Sequence, residues 1–308
     1  MRRVRVTGLL VACLTLAALD GTASAQDLEP RAYAASPIGA NFLVVAGGRS
    51  TGGVLVDPSL PVEDVQASVN SLSVGAGTTM SIFGRTALLV AGVPFAWADA
   101  SGRVGDTPGT VSRTGLADPR VKLTVNLLGG RAMRLREFVG AKRPTIVGVS
   151  LTVGPPLGQY DRTTLINLGA NRWAFKPEVG VSHLAGKWTI DGYFGAWLFT
   201  ANEEFFRGSS VRTQRPVVGL QGHVSYTVKP RLWVAFDGTW YTGGTTTIDG
   251  VRRADLQRNS RVGATVSFPL AQHQSLKFAY SAGATTRVGS DFRTFVAAWQ
   301  LAWFSRDH

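Results

Sequence analysis

The chain has 308 residues and a formal charge of +12, and it carries 36 glycines, 15 Phe, 8 Trp and 6 Tyr. Its single cysteine, Cys13, lies in the first apolar stretch, which excludes disulfide frameworks, thiol nucleophiles and cysteine-ligated metals from the rest of the chain. No later apolar run approaches the roughly 18 residues that a membrane helix requires, and the Arg residues are scattered over loops rather than gathered on one helix or groove, which argues against nucleic acid as a partner.

Arg2, Arg3 and Arg5 precede an apolar run from Val6 to Leu19 that is broken only by Thr7, Gly8 and Thr15, and Ala23-Ser24-Ala25 follows with small residues. This reads as a secretory signal peptide over 1–25, cleaved before Gln26. A competing lipoprotein box, Leu10-Val11-Ala12-Cys13, would leave Leu14–Leu19 as an apolar stub. Cleavage after Ala25 removes three Arg and Asp20 and leaves a charge of +10. A basic exported chain suits anionic partners such as lipopolysaccharide phosphates or acidic solutes.

Residues 26–39 read as a short N-terminal periplasmic segment, too small for a plug domain that couples to an inner-membrane motor. From 40 to 308 the pattern is that of an all-β transmembrane antiparallel β-barrel of the outer-membrane type, with about twelve strands. The strands start near 40, 68, 87, 117, 145, 171, 188, 217, 232, 260, 276 and 293. Their connections alternate between tight turns (83–85, 184–186, 229–231 and 271–274) and long polar loops (52–66, 102–114, 157–169, 202–215 and 243–258). An outer-membrane barrel sorts its loops in this way; a water-soluble sandwich does not. The exception is the long 129–143 connection on the tight-turn side, where Arg134–Val139 forms a helical turn or conceals a missed pair of strands.

Period-two alternation is cleanest at 120–127: Arg120, Lys122, Thr124 and Asn126 share one face, with Val121, Leu123, Val125 and Leu127 on the other. Similar alternation runs through 147–153, 172–181, 218–227, 261–268 and 276–281. The last strand carries Phe295, Trp299, Leu301 and Trp303 on one side, an aromatic-ended strand of the kind the outer-membrane assembly machinery reads. The first three strands are less regular, with Leu43, Val45, Leu88 and Val90 on the face expected to look inward.

Three stretches carry a family resemblance. They are Gly115-Leu116-Ala117-Asp118-Pro119-Arg120 leading into Val125-Asn126-Leu127-Leu128-Gly129, then Pro155-Pro156-Leu157-Gly158-Gln159-Tyr160-Asp161, and Ile166–Glu178. Together they resemble the bacterial outer-membrane barrel family named for a putative pathway of phenol degradation, whose members are usually labelled transporters. The resemblance runs from Glu29-Pro30-Arg31 to Trp303-Phe304, with Ala117 and Pro156 standing where the family pattern has Gly and Thr. It implies location in the bacterial outer membrane and passage of small aromatic or hydrophobic solutes; the basic excess among the lumen candidates below adds aromatic acids.

The candidate lumen residues are Arg120, Lys122, Arg172, Lys176, Glu178, Asp191, Tyr193, Asp237, Tyr241, Arg261 and Lys277, all of inward parity. A basic excess among them biases a pore toward anions, although interior charges also pair to fill a closed lumen. Asp118, Asn167 and Asn171 are candidates at the mouth, in positions that turn chemistry also favours. Expected partners are outer-membrane lipids including lipopolysaccharide, a small-molecule solute, and the assembly machinery through the C-terminal strand. No cofactor or metal is expected: no Gly-rich loop opens a helix, and His183, His273 and His308 lack ligand spacing.

Two alternatives stand beside the channel. One is a closed structural or surface-interaction barrel with basic extracellular loops (Arg207, Arg212, Arg215, Arg252, Arg253 and Arg258). The other is an outer-membrane lipid hydrolase built on His223-Val224-Ser225, whose flanking Gly222 and Tyr226 do not match the phospholipase pattern and whose parity faces inward.

Overall fold

The structure, a computed structural model, describes residues 28–55, 62–104, 107–141, 144–206 and 208–305. The expected signal peptide, Arg207 and His308 lie outside the described residues. In chain order the elements are β1 (Ala40–Leu55), β2 (Val62–Ile82), β3 (Arg85–Val104), β4 (Thr107–Leu116), β5 (Arg120–Leu128), α1 (Leu135–Gly140), β6 (Ile146–Gly154), β7 (Ala174–Ala185), β8 (Trp188–Phe199), β9 (Asn202–Phe205), β10 (Ser210–Gln214), β11 (Val217–Lys229), β12 (Leu232–Gly243), β13 (Thr246–Ile248), β14 (Val251–Arg252), β15 (Gln257–Ala271), β16 (Gln274–Thr285) and β17 (Gly289–Phe304).

Thirteen of these strands form one antiparallel sheet, and the pairing of β1 with both β2 and β17 and of β2 with β3 closes it into a barrel. β4 and β5 lie along successive stretches of β3, Leu116 opposite Phe95 and Arg120 opposite Gly92, so they are two halves of one position and the wall has twelve. The two halves part at Ala117-Asp118-Pro119, where Pro119 has no N–H to give to a ladder. The tight turns, the start of β1 and the end of β17 all lie at one end of the barrel, the end that faces the periplasm in barrels of the outer-membrane type.

Local chemistry fixes those turns. Phe83 and Gly84 both have positive φ, 48° and 73°, as a two-residue hairpin that follows the strand twist requires. At the β11–β12 turn Pro230 precedes Arg231 at φ 65°, the sequence order of a type II turn. The Arg231 guanidinium then donates to the carbonyls of Ala271, Gln272 and Gln274 at 2.6–2.8 Å and ties neighbouring turns together.

The outer face is the apolar one. Val121, Leu123, Val149, Leu151, Val179, Ile190, Phe194, Leu220, Phe236, Val262 and Phe295 are all exposed there, as a wall solvated by lipid requires. Exposed Trp97, Trp173 and Trp240 lie toward the extracellular end and Trp188 and Trp303 toward the periplasmic end, the places where indoles prefer the membrane interface. Arg49, bonded to Asn70 on the outer face, stands level with Trp97 and marks the upper limit of the lipid band.

Three expectations change. β1–β4 run well beyond the expected strands, so 52–66 and 102–114 are largely ladder; β2 alone has 21 residues, about twice what a tilted barrel strand needs to cross a membrane. Loops 202–215 and 243–258 contribute β9, β10, β13 and β14, a second sheet at the extracellular end. The register of β1 also shifts by one: Leu43 and Val45 pair with Leu301 and Trp299 on the lipid side, while Phe42 and Val44 look inward. Leu88 and Val90 do face the lumen, level with Thr124 and Lys122. The 129–143 connection holds the short helix α1, whose Phe138 is its buried side chain.

Candidate functional site

The segment before β1, expected in the periplasm, lies inside the barrel. Its chain enters past the β5–β6 connection, where the Ile38 N–H donates to the Met133 carbonyl at 2.9 Å, and turns at 30–33 with Arg31 at φ 66°. Mixed polarity allows this course: Tyr33 fills space that apolar groups line, while the polar groups find partners on the inner wall. Tyr33 is fully buried. Its hydroxyl lies 2.9 Å from Ser150 Oγ and 3.1 Å from Glu178 Oε1, and its ring is seated on Gly148 and Gly180, which face each other across β6 and β7. A β-carbon would stand 2.6 Å from the ring at Gly148 and 2.2 Å at Gly180, so only glycine permits the approach.

Arg31 reaches the opposite wall. Its Nε donates to Ser225 Oγ and its Nη2 to Thr227 Oγ1, both at 2.8 Å, and the guanidinium lies 4.7 Å from the centroid of the inward-facing Trp233 ring. The Arg31 N–H donates to Asp191 Oδ2 at 3.2 Å and the Ala32 N–H to the Tyr193 hydroxyl at 3.0 Å. Beside them His223 Nδ1 is 2.7 Å from Asp237 Oδ1, and Asp237 Oδ2 accepts from Thr265 Oγ1 at 2.8 Å. The paired Ser225 and His223 of the hydrolase alternative are thus engaged with Arg31 and Asp237.

These contacts make the lumen two-sided. Along β6–β15 the inward residues Ser150, Glu178, Asp191, Tyr193, His223, Ser225, Asp237 and Thr265 are buried against the segment or one another. Along β1–β3 the inward residues Val44, Ala46, Gly48, Ser73, Gly75, Val90 and Pro94 keep part of their surface accessible. Lys277 on β16, level with Ser267, is exposed on the inner side. An accessible strip of small and apolar side chains therefore faces a filled, charged half.

The extracellular half holds the remaining lumen candidates. Arg172 is buried just before β7, with its guanidinium 4.4 Å from the Phe199 centroid and bonded to Gln214. Burial pushes the Arg172 guanidinium down to about 10, against the opposing pull of Asp118. Arg120 lies 5.8 Å and Lys176 5.9 Å from the centroid of Trp197, which packs with Tyr241 and Val217. The Tyr241 hydroxyl accepts from Asn259, and Arg261 donates to Ser281 Oγ at 3.0 Å and the Phe292 carbonyl at 2.9 Å. The structure brings Lys122, Lys176, Glu178, Asp191, Tyr193 and Asp237 around the inserted segment and leaves Arg172, Tyr241 and Arg261 in this separate upper group.

The mouth candidates meet where the wall changes partner. β6 stops at Gly154 beside the start of β5, so the free edge of β4 is covered by the loop 155–173: the Gln159 N–H donates to the Leu116 carbonyl at 2.8 Å and Arg113 Nε to the Ile166 carbonyl at 2.7 Å. Asp118 accepts from the N–H groups of Gly158 and Ala170, both at 2.8 Å. Asn167 bonds the loop to itself through Asp161 and Thr164, and Asn171 donates to Asn202 at 3.1 Å. The three stretches that carry the resemblance converge here. A cleft of about 330 Å³ opens outside it, between Arg113, Tyr160 and Asn167.

Sequence reasoning missed Glu29, Arg31 and Tyr33. A signal for Tyr33 existed in Gly148 and Gly180, two glycines of inward parity on adjacent strands, a gap in the wall that a ring can fill.

A family model described as "Putative MetA-pathway of phenol degradation" matches residues 46–301. Among solved structures, an outer membrane channel from Pseudomonas putida F1 superposes with a TM-score of 0.74 at 19% identity, over 90% of this chain and 100% of that one. The beta domain of the Bordetella autotransporter BrkA gives 0.50 at 13% identity, over 86% and 100%. At these identities the likeness is one of fold. Among curated proteins, none matches this chain.

Proposed function

The chain belongs to the family of the putative MetA-pathway of phenol degradation, and from that footing we propose that it is a passive outer-membrane channel for small aromatic or hydrophobic solutes. The observation that carries this reading is the accessible inner strip of Val44, Ala46, Gly75, Val90 and Pro94, apolar enough to take an uncharged ring and not filled by the inserted segment. The name of the family and the likeness to the channel from Pseudomonas putida F1 support it. Lys122, Lys176 and Lys277 are its polar contacts on the solute path, and Arg120 borders it. Single-channel recording of the refolded protein in planar bilayers tests this: steady openings reduced by added phenol are expected, and a silent bilayer with correctly folded protein overturns it.

A closed barrel is the second reading, favoured by the filling of half the lumen by residues 28–39. In that reading exposed Arg252 and Arg258 at the extracellular rim meet lipopolysaccharide, whereas Arg212 is buried in the outer sheet and is not a surface contact. We read the protein as not an enzyme, because Ser225 and His223 serve the segment and Asp237. The terminal strand β17, which pairs with β1 to close the wall, is the natural contact for the assembly machinery.

A further inference from the structure

Glu29 places a carboxylate among wall cations in the lumen. Lys122 Nζ is 2.6 Å from Glu29 Oε2 and 3.7 Å from Glu178 Oε1, and Lys176 Nζ is 2.6 Å from the other Glu178 oxygen. Lys176 and Lys277 attract Glu29 at longer range. Among these wall groups three ammoniums face one carboxylate, Glu178, so the charge that Glu29 brings is one the wall does not itself supply.

Two further facts separate Glu29 from the other acidic groups of the lumen. Its side chain keeps 50% of its surface accessible, whereas that of Glu178 keeps 2%. It is also carried on a segment without ladder hydrogen bonds, anchored two and four residues later by Arg31 and Tyr33. Leu28, lying over Gly263 on β15, holds the backbone on the other side of Glu29, so it is the half-exposed Glu29 side chain that can turn while the segment stays. The surface beside Lys122 is apolar: its register partner on β3 is Val90, and next to Val90 on β2 is Gly77, over which the Phe42 ring lies. A cation set at the edge of an apolar strip matches a molecule with a charged head and a greasy body.

We propose that Lys122, joined to Lys176 through Glu178 and with Lys277 on the inner wall beyond, is a headgroup subsite for monocarboxylates with an aromatic or alkyl body, and that Glu29 occupies it as an internal competitor. This rests on the channel reading and deepens it by naming a solute class. An arriving carboxylate takes the Lys122 ammonium and lies along Val90 and Phe42, and the Glu29 side chain turns away into water. An uncharged ring gains nothing at Lys122 and leaves Glu29 in place.

The test is equilibrium dialysis of the refolded full chain against benzoate and its uncharged isostere benzamide. Glu29→Gln is expected to tighten benzoate binding about tenfold, the gain from removing a competitor that holds the site most of the time, and to leave benzamide unchanged. Lys122→Met in the Glu29→Gln background is expected to abolish the gain. Because that change strips a partner from buried Glu178, Lys277→Gln, exposed to the lumen, is the second variant and is expected to reduce the gain in part. Heat-modifiable gel migration confirms folding in each case. Equal benzoate binding by wild type and Glu29→Gln, or an equal gain for benzamide, overturns the proposal. The dialysis needs no conduction: a benzoate-selective gain in a protein that passes no current sinks the channel reading and leaves the subsite standing, while current with no Glu29→Gln effect does the reverse.

Discussion

The ring of Tyr33 rests on Gly180 so closely that a β-carbon on that glycine would lie 2.2 Å from the ring. This contact, together with that on Gly148, seats the inserted segment in the lumen. Gly180→Ala is expected to displace Tyr33 while the wall stays intact, since overpacking of a fitted contact costs about 1–3 kcal/mol. In planar bilayers Gly180→Ala and Tyr33→Ala should both raise conductance above wild type; unchanged conductance in both would mean that the segment does not limit passage.

Asp118 holds two loop N–H groups with one carboxylate, those of Gly158 and Ala170. Asp118→Ala leaves both without their acceptor, at about 1–3 kcal/mol for each part-buried group. The loop 155–173 should then become sensitive to limited proteolysis in intact outer-membrane vesicles, with Asp118→Asn intermediate because one amide oxygen remains. Cleavage no faster than in wild type would place the hold on this loop elsewhere.

His223 and Asp237 form a pair with both side chains buried. His223→Ala leaves the Asp237 carboxylate with Thr265 as its remaining hydrogen-bond donor among the contacts described, and a buried group that loses a hydrogen-bond partner costs about 1–3 kcal/mol. The temperature of heat-modifiable migration should fall clearly. Esterase activity should stand at background before and after the change, and a loss of measurable hydrolysis would revive the lipid-hydrolase alternative.

At the extracellular rim the exposed Asp249 carboxylate accepts from the Val211 N–H at 2.8 Å. That hydrogen bond and one from Ser210 hold its pKa below the usual carboxylate value. A depressed pKa means the contact is fully present above the unfolded-state value and is lost only as pH falls through the lower folded value. Amide exchange at Val211, corrected for intrinsic rate, should stay protected at mildly acid pH and open only below the ordinary aspartate range. In Asp249→Asn the protection should be independent of pH over that window.

The barrel was legible where its cause is local. At 120–127 and 261–268 a side-chain period of two separates lipid and lumen faces, and each residue carries its own polarity into that pattern. Phe83-Gly84 and Pro230-Arg231 mark turns because backbone conformations at those positions are restricted by the residues themselves. β1 was misread by one residue because its face alternates weakly: Phe42, Leu43, Val44 and Val45 are all apolar, so polarity does not tell lumen from lipid.

The sequence by itself determined an exported antiparallel barrel with tight periplasmic turns, since alternation, turn dihedrals and loop length are properties of short stretches. Only the tertiary structure decided what occupies the lumen. Arg31 meets Ser225 across 194 positions and Tyr33 meets Glu178 across 145, and such contacts leave no periodic mark on either stretch. Gly148 and Gly180 mark a gap of inward parity in the wall, but neither stretch says which ring fills it. Likewise the pairing of Lys122 with Glu29, rather than with wall carboxylates alone, follows from the segment before β1 folding back into a space that closure of the barrel creates.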